Sequence, residues 1–336
     1  MRDASSAHGL GRHLENVNVG WTQSFGYDGL NRLTSGARSD GAYNHTYLYD
    51  GFGNLRIQDN ITPGPTFNID AATNGINRYN PITLTYDVYS YDAAGNITST
   101  DTSMGSGTSS IGGHSFTYNA TNQITAVDGG ATATYLYNGM DERVTKSTPS
   151  GWTDYIYLNG QPMWEYTSDG ARTDYIYANG QKIAKIATPS SGPATLNYYL
   201  DDHLGTTQVE LKDDGTVNWM GQFTPFGSEL PDGSTTMHYK FTGKERDAES
   251  GLDFFGARYY GSTTGRWMSP DWASKPEDVP YASLEDPQSL NLYNYVGNNP
   301  LSKADADGHC PQCVVALAPP VAEVSVVAIV AVAGVR

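Results

Sequence analysis

The sequence predicts an all-β protein built as a string of hairpins, and three observations carry that expectation. One phrase recurs at nine stations about twenty residues apart, a period that marks a repeat architecture. The residues leading into each phrase are aromatic or β-branched, as in His45-Thr46-Tyr47-Leu48-Tyr49, and such side chains pack well on a pleated surface. The phrase itself is turn chemistry, because Asp and Asn bond their own backbone and Gly accepts positive φ. A disordered chain could also hold 37 Gly and 17 Pro, but 24 Tyr and 12% aromatic residues exceed what disordered segments carry.

In chain order, the clearest copies begin at Tyr27-Asp28, Tyr49-Asp50 and Tyr91-Asp92, each followed by a turn and a short aliphatic strand opening with Leu33, Leu55 or Ile97. Weaker copies begin at Ile69, Tyr118 and Tyr137, and the anchors continue at Tyr157, Tyr177 and Tyr199. Tyr49, Tyr91, Tyr137, Tyr157 and Tyr177 are therefore expected at equivalent positions in successive hairpins. Asn159-Gly160 and Asn179-Gly180 lie between strand-like runs, the strongest short hairpin signal. Helix is expected to be almost absent before about residue 245. Strands carrying Tyr on one face and Thr or Ser on the other would suit a wall with solvent on both sides.

Composition narrows the functional classes. A net charge of −16 argues against binding nucleic-acid phosphate, which needs clustered Lys and Arg. Cys310 and Cys313 are the two cysteines, too few for a disulfide framework and only half a zinc site. No pattern calls for a metal or cofactor. Residues 1–20 lack the charged start and apolar core of a signal peptide and read as a partial or flexible segment preceding a repeat region at 21–200.

The second informative region runs over 201–308. It contains Asp202-His203-Leu204-Gly205, Pro225-Phe226-Gly227, Thr242-Gly243-Lys244-Glu245-Arg246-Asp247, Gly256-Ala257-Arg258-Tyr259-Tyr260, Gly265-Arg266-Trp267-Met268-Ser269-Pro270-Asp271 and Leu292-Tyr293-Asn294-Tyr295. These motifs resemble the core domain that ends the Rhs, or YD-repeat, proteins, and the upstream phrases resemble that family's repeats. The family also includes the C subunits of Tc toxins and the teneurin shell. The resemblance implies a spiralling β-hairpin shell, here partial and with an exposed N-terminal edge, closed at its C-terminal end by a core-domain plug. Within the plug, Phe241, Phe254, Phe255, Tyr259, Tyr260, Trp267 and Tyr293 are expected to form one buried aromatic cluster.

In toxin members of that family, an aspartyl self-cleavage frees a C-terminal effector held by the shell. Carried over by motif, Asp271 matches a catalytic aspartate, and Asp305-Ala306-Asp307-Gly308 followed by His309 matches the cleavage site. Such chemistry needs two carboxylates sharing one proton. Asp286, Asp278 or Asp305 could supply the second, and Arg246 or Arg258 could support the pair. The sequence departs from the family pattern at Trp272 and Ala306, which stand where prolines are usual, and in a longer segment at 275–288. The bland reading makes these aspartates turn formers, as it makes Asp202 a turn former and His203 a packed side chain.

After Gly308 the composition changes to a Val- and Ala-rich tail at 309–336, interrupted by Pro319, Pro320 and Glu323. The expected partners are a C-terminal effector polypeptide, components of a secretion system or Tc complex, and glycans, with no nucleic acid. The resemblance places the protein outside the cell or at its surface. The rival function is a cell-surface adhesion or carbohydrate-binding module without enzymatic activity.

Overall fold

A computed structural model describes residues 21–61, 66–70, 74–80, 85–100, 113–230, 237–271 and 287–309. Four antiparallel strands open the wall: β1 (Gln23–Tyr27), β2 (Leu33–Arg38), β3 (Asn44–Tyr49) and β4 (Leu55–Asp59). Shorter pieces follow, with β5 (Thr66–Ile69), β6 (Ile76–Asn80) and β7 (Thr85–Val88) in one sheet and β8 (Ser90–Tyr91) paired with β9 (Ile97–Ser99). The longest sheet has eleven strands in sequence order. These are β10 (Phe116–Tyr118), β11 (Ile124–Val127), β12 (Ala133–Tyr137), β13 (Arg143–Thr148), β14 (Gly151–Leu158) and β15 (Gln161–Thr167), then β16 (Arg172–Ala178), β17 (Gln181–Thr188), β18 (Thr195–Asp201), β19 (Thr207–Lys212) and β20 (Val217–Met220). Before residue 245, the helical structure among the described residues is confined to single 3-10 turns at Asp128–Gly130 and Phe241–Gly243.

One clasp closes six of the turns. Oδ1 of Asp28, Asp50, Asp92, Asn119, Asn138 and Asp202 accepts the backbone N–H groups two and four residues on, at 2.8–3.1 Å. The residue three after the anchor takes positive φ: Asn31, Gly53, Gly95, Asn122, Asp141 and Gly205. In five of these turns, the anchor's second polar atom meets the side chain four residues on. Where the anchor is Asp, that side chain donates, from Arg32, Asn54 or Asn96. Where it is Asn, the side chain accepts, at Gln123 or Glu142.

Tyr49, Tyr91, Tyr137, Tyr157 and Tyr177 do occupy equivalent positions, each just before a turn and paired with the first or second residue of the return strand. Several peg one hairpin to the one before it. The hydroxyls of Tyr49, Tyr118, Tyr137 and Tyr177 donate to the carbonyls of Leu33, Ile97, Ile124 and Pro162. Two residues earlier stands a second aromatic, buried at Tyr47, Tyr89, Phe116, Tyr135, Tyr155 and Tyr175. Tyr199 belongs to this inner set, since it pairs with Glu210, while Asp201 fills the anchor slot opposite Thr207. Reading Tyr199 as an anchor is thereby corrected by two residues.

The inner face of the long sheet also carries charge. Opposite Tyr135, Tyr155, Tyr175 and Tyr199 stand Lys146, Glu165, Lys185 and Glu210, alternating in sign. The outer face differs from the Thr/Ser surface expected, because Leu136, Ile156, Ile176 and Leu200 are exposed there.

The plug sheet comprises β21 (Glu245–Arg246), β22 (Asp253–Phe254), β23 (Tyr259–Gly261) and β24 (Arg266–Trp267). Its aromatics split between two faces rather than forming one cluster. Phe254 and Tyr259 join wall residues Ile97, Ile124 and Tyr135, whereas Phe241, Phe255, Tyr260 and Trp267 gather with Tyr295 inside the plug. Tyr293 stands apart from both, with Arg266 over its ring at 4.3 Å and its hydroxyl on the Gly95 carbonyl.

Charged contacts fasten plug to wall. Arg143 reaches Glu245 at 2.7 Å and Asp247 at 2.6 Å, Lys146 reaches the same two carboxylates, and Tyr155 donates to Glu245. Burial would raise the Glu245 carboxyl, but Lys146 and Arg143 outweigh it and hold the group below the usual carboxylate range. Further along, Glu165 accepts from Tyr239 and lies 3.2 Å from His238. At the other end, Arg266 donates to Asn54 and to the Asn74 carbonyl.

Candidate functional site: a carboxylate pair bridged by Arg258

Asp271 follows β24, where its backbone N–H bonds the Leu292 carbonyl, and Asp305 lies in the last turn described. Arg258, just before β23, extends between them. One of its terminal nitrogens stands 3.1 Å from Asp271 Oδ2 and 3.6 Å from Asp305 Oδ2. All three side chains are 1–2% exposed. The guanidinium stacks over Trp267 at 4.1 Å, donates to the Leu292 carbonyl at 3.2 Å, and places Nε–H on the Gly308 carbonyl. Two carboxylates and the carbonyl preceding His309 therefore converge on one cation.

The turn at 305–308 is held from several sides. Asp305 Oδ1 accepts the N–H of Gly308 at 2.7 Å and of Asp307 at 3.2 Å. Ala257 N–H bonds the Asp307 carbonyl at 3.0 Å, and Lys244 Nζ donates to the Ala306 carbonyl. Gly308 has φ of 81°, and a Cβ there would lie 3.0 Å from Phe255 Cβ and 3.1 Å from Arg258 N. Another residue would be strained by backbone and neighbours alike. Burial pushes the Asp305 carboxyl up, against the pull of Arg258 and of the two N–H groups. Burial also lowers His309.

The motif-based expectations thus meet at one place for Asp271, Asp305, Asp307, Gly308 and His309. Asp286, Asp278, Trp272, Cys310 and Cys313 lie outside the described residues. Between the two candidate arginines, Arg258 bridges the pair, while Arg246 donates to Asp253 from Nε and one terminal nitrogen inside the plug. Asp202 is a turn former as expected. His203 is exposed rather than packed, its ring nitrogen 3.0 Å from the Leu301 carbonyl.

Beside the turn, a cavity of about 650 Å³ separates plug from wall. Asp305, Ala306, Asp307 and His309 line one side, and Tyr157, Lys182 and Asp201 line the other. Sequence motifs did not single out this space. Its signal is a drift in the repeat grammar: the residue facing the anchor tyrosine is Leu33, Leu55, Ile97 and Ile124 in the early copies, then Arg143, Pro162 and, here, Lys182.

Comparisons with known proteins agree with this architecture. The teneurin YD-shell family model matches residues 194–301. The tRNA3(Ser)-specific nuclease WapA of Bacillus spizizenii is 27% identical over 296 residues, covering 84% of this chain and 12% of that protein. Toxin subunit YenC2 of Yersinia entomophaga is 34% identical over 124 residues, covering 34% of this chain and 11% of that one. The chain therefore spans about an eighth of the length of these curated relatives. Among solved structures, a Photorhabdus luminescens Tc holotoxin pore with mutated TccC3 superposes with a TM-score of 0.62 at 22% identity, over 89% of this chain and 16% of that one.

Proposed function

We propose, from the premise that this chain is a YD-repeat protein of the Rhs type, that it is the plugged end of a shell that holds a C-terminal toxin polypeptide and releases it by cutting Gly308–His309. The observation that carries the reading is the convergence of Asp271, Asp305 and the Gly308 carbonyl on Arg258. The Arg258 Nε–H polarises the Gly308 carbonyl and takes up negative charge as it develops. Asp271, beside the guanidinium, accepts a proton from the attacking water. Asp305, whose carboxyl burial pushes up, gives its proton to the departing His309 nitrogen. Water oxygen joins the Gly308 carbonyl carbon, the peptide bond breaks, and a new carboxylate and amine result.

The toxin names of the relatives support a role in competition between bacteria or against a host, outside the producing cell. Other toxin-complex or secretion components and the effector itself are the partners this role requires. The test is intact mass of purified protein incubated at pH 4–8, beside Asp271→Asn. Loss of residues 309–336 in the wild type alone supports the reading, and an uncut wild type overturns it.

A second reading, adhesion through glycans, has one observation in its favour. Trp152, Trp164 and Tyr166 group on the outer face of the long sheet, with Trp164 and Tyr166 stacked at 5.9 Å. Sugar rings pack on such surfaces. Binding on a glycan array that Trp152→Ala abolishes would favour this alternative.

A further inference from the structure

Two consecutive repeats place an ionisable residue where the early repeats carry an apolar residue or a tyrosine, and both residues face the cavity between wall and plug. Lys182 occupies the slot that Leu or Ile fills in the early repeats and Arg143 and Pro162 fill in the two before it, and Asp201 occupies the slot of the anchor tyrosine. Sites that violate an otherwise consistent pattern are where function is expected. Lys182 Nζ lies 2.8 Å from the Tyr239 ring centroid and 4.6 Å from that of Tyr175, and it has no hydrogen-bond partner among the described residues. Asp201 Oδ1 is likewise enclosed without a partner there. An amine and a carboxyl with unused polar atoms therefore line one cavity of about 650 Å³, a size suited to a small molecule.

Their surroundings set the chemistry. Burial drives the Lys182 ammonium far below its ordinary value, against the pull of Glu165 on β15, Asp201 on β18 and Glu245 on the plug, while Lys244 adds to the lowering. Burial raises Asp201 to about 6, moderated by Thr207 and Lys182, with Asp202 pushing the same way as burial. An amine whose charged form burial disfavours, enclosed by aromatic faces and lining the same cavity as a carboxyl able to exchange a proton near neutrality, suits a carbonyl ligand rather than an anion.

We propose that Lys182 and Asp201 form a site for a small aldehyde, held as an imine on Lys182 Nζ. The nitrogen lone pair adds to the carbonyl carbon, and a proton passes from nitrogen to oxygen to give a carbinolamine. Asp201 then protonates the hydroxyl, water leaves, and the nitrogen returns its remaining proton to Asp201. The products are an imine and one water, with no oxidant or reductant consumed.

The test is trapping of the wild-type chain with propanal and cyanoborohydride at pH 7, followed by peptide mapping. A free lysine of pKa about 10.4 is neutral to only roughly 0.04% at that pH. Lys182 is expected to label at least about tenfold faster than the exposed Lys212. Asp201→Asn should slow labelling at Lys182 by about fivefold or more and leave Lys212 unchanged. Equal rates at the two lysines in the wild type would overturn the proposal without any variant needing to fold. So would Lys182 labelling that Asp201→Asn leaves untouched in a variant with wild-type near-ultraviolet circular dichroism.

Discussion

At each turn a single side chain does the work of several backbone groups. The anchor carboxylate or amide satisfies two N–H groups that would otherwise face a tight loop unpaired, and it selects its partner four residues on by hydrogen-bond polarity. The pairing of Asn138 with Glu142 makes this testable. Asn138→Asp sets two carboxylates against each other and should cost about 1–2 kcal/mol at pH 7 in denaturant melts. Adding Glu142→Gln restores a donor and should recover most of the loss; if the two substitutions prove additive, the clasp is not an energetic unit. Asp201 gives a pH prediction of definite sign. Its folded value, about 6, lies above the ordinary 3.8, so it contributes stability at low pH that is lost as pH rises through about 6. Asp201→Asn should therefore be more stable than wild type by about 2–3 kcal/mol at pH 8, a margin that vanishes near pH 3.5. The turn chemistry was legible in the sequence because it is local. The anchor of the last wall repeat was not, since tyrosine serves both the inner slot and the anchor slot, and strand pairing alone separates Tyr199 from Asp201.

At the scale of elements, the wall and plug are joined by replacing repeat residues with ions. Arg143 opens a return strand where Leu33, Ile97 and Ile124 open others, and it is fully buried against Glu245 and Asp247. Removing one member of a buried pair leaves uncompensated charge. Arg143→Leu, although it restores the repeat's own residue type, should destabilise by about 3–5 kcal/mol, read as the shift in a urea midpoint. A change below about 1 kcal/mol would mean that Lys146 alone satisfies both carboxylates. Trp267, also fully buried, packs on Phe255 at 5.0 Å and Tyr260 at 5.4 Å. Trp267→Ala should cost about 3–5 kcal/mol by the same measurement. The sequence announced that the plug aromatics are buried but not how they divide. That division follows from the side-to-side alternation of a strand, which sends Phe254 toward the wall and Phe255 into the plug.

On the scale of the whole molecule, a cut after Gly308 should free the chain beyond it without loosening the plug. The plug is tied to the wall by Arg143, Glu165 and Arg266, all distant in sequence from the cut. Asp305 and Gly308 lie before the cut and should stay held by Arg258. The site was only half legible from sequence. Motif spacing indicates Asp271 and the 305–308 turn, but that Asp305 stands beside Asp271 on Arg258 depends on chain segments that converge only on folding, and Asp278 and Asp286 lie outside the described residues. The upward shift of the Asp305 carboxyl sets the expected direction of the pH dependence. If Asp305 must be neutral to protonate the leaving nitrogen, and burial raises its pKa, cleavage should proceed below that raised value and slow as pH climbs through it. Intact mass followed over time should show residues 309–336 lost faster at pH 5 than at pH 8, with the remaining chain giving a single thermal transition. Asp305→Asn should abolish the cut at both values, since an amide cannot supply the proton. Cleavage that speeds up toward pH 8, or survives that substitution, would remove Asp305 from the proton-donor role and leave Arg258 as a brace for the plug.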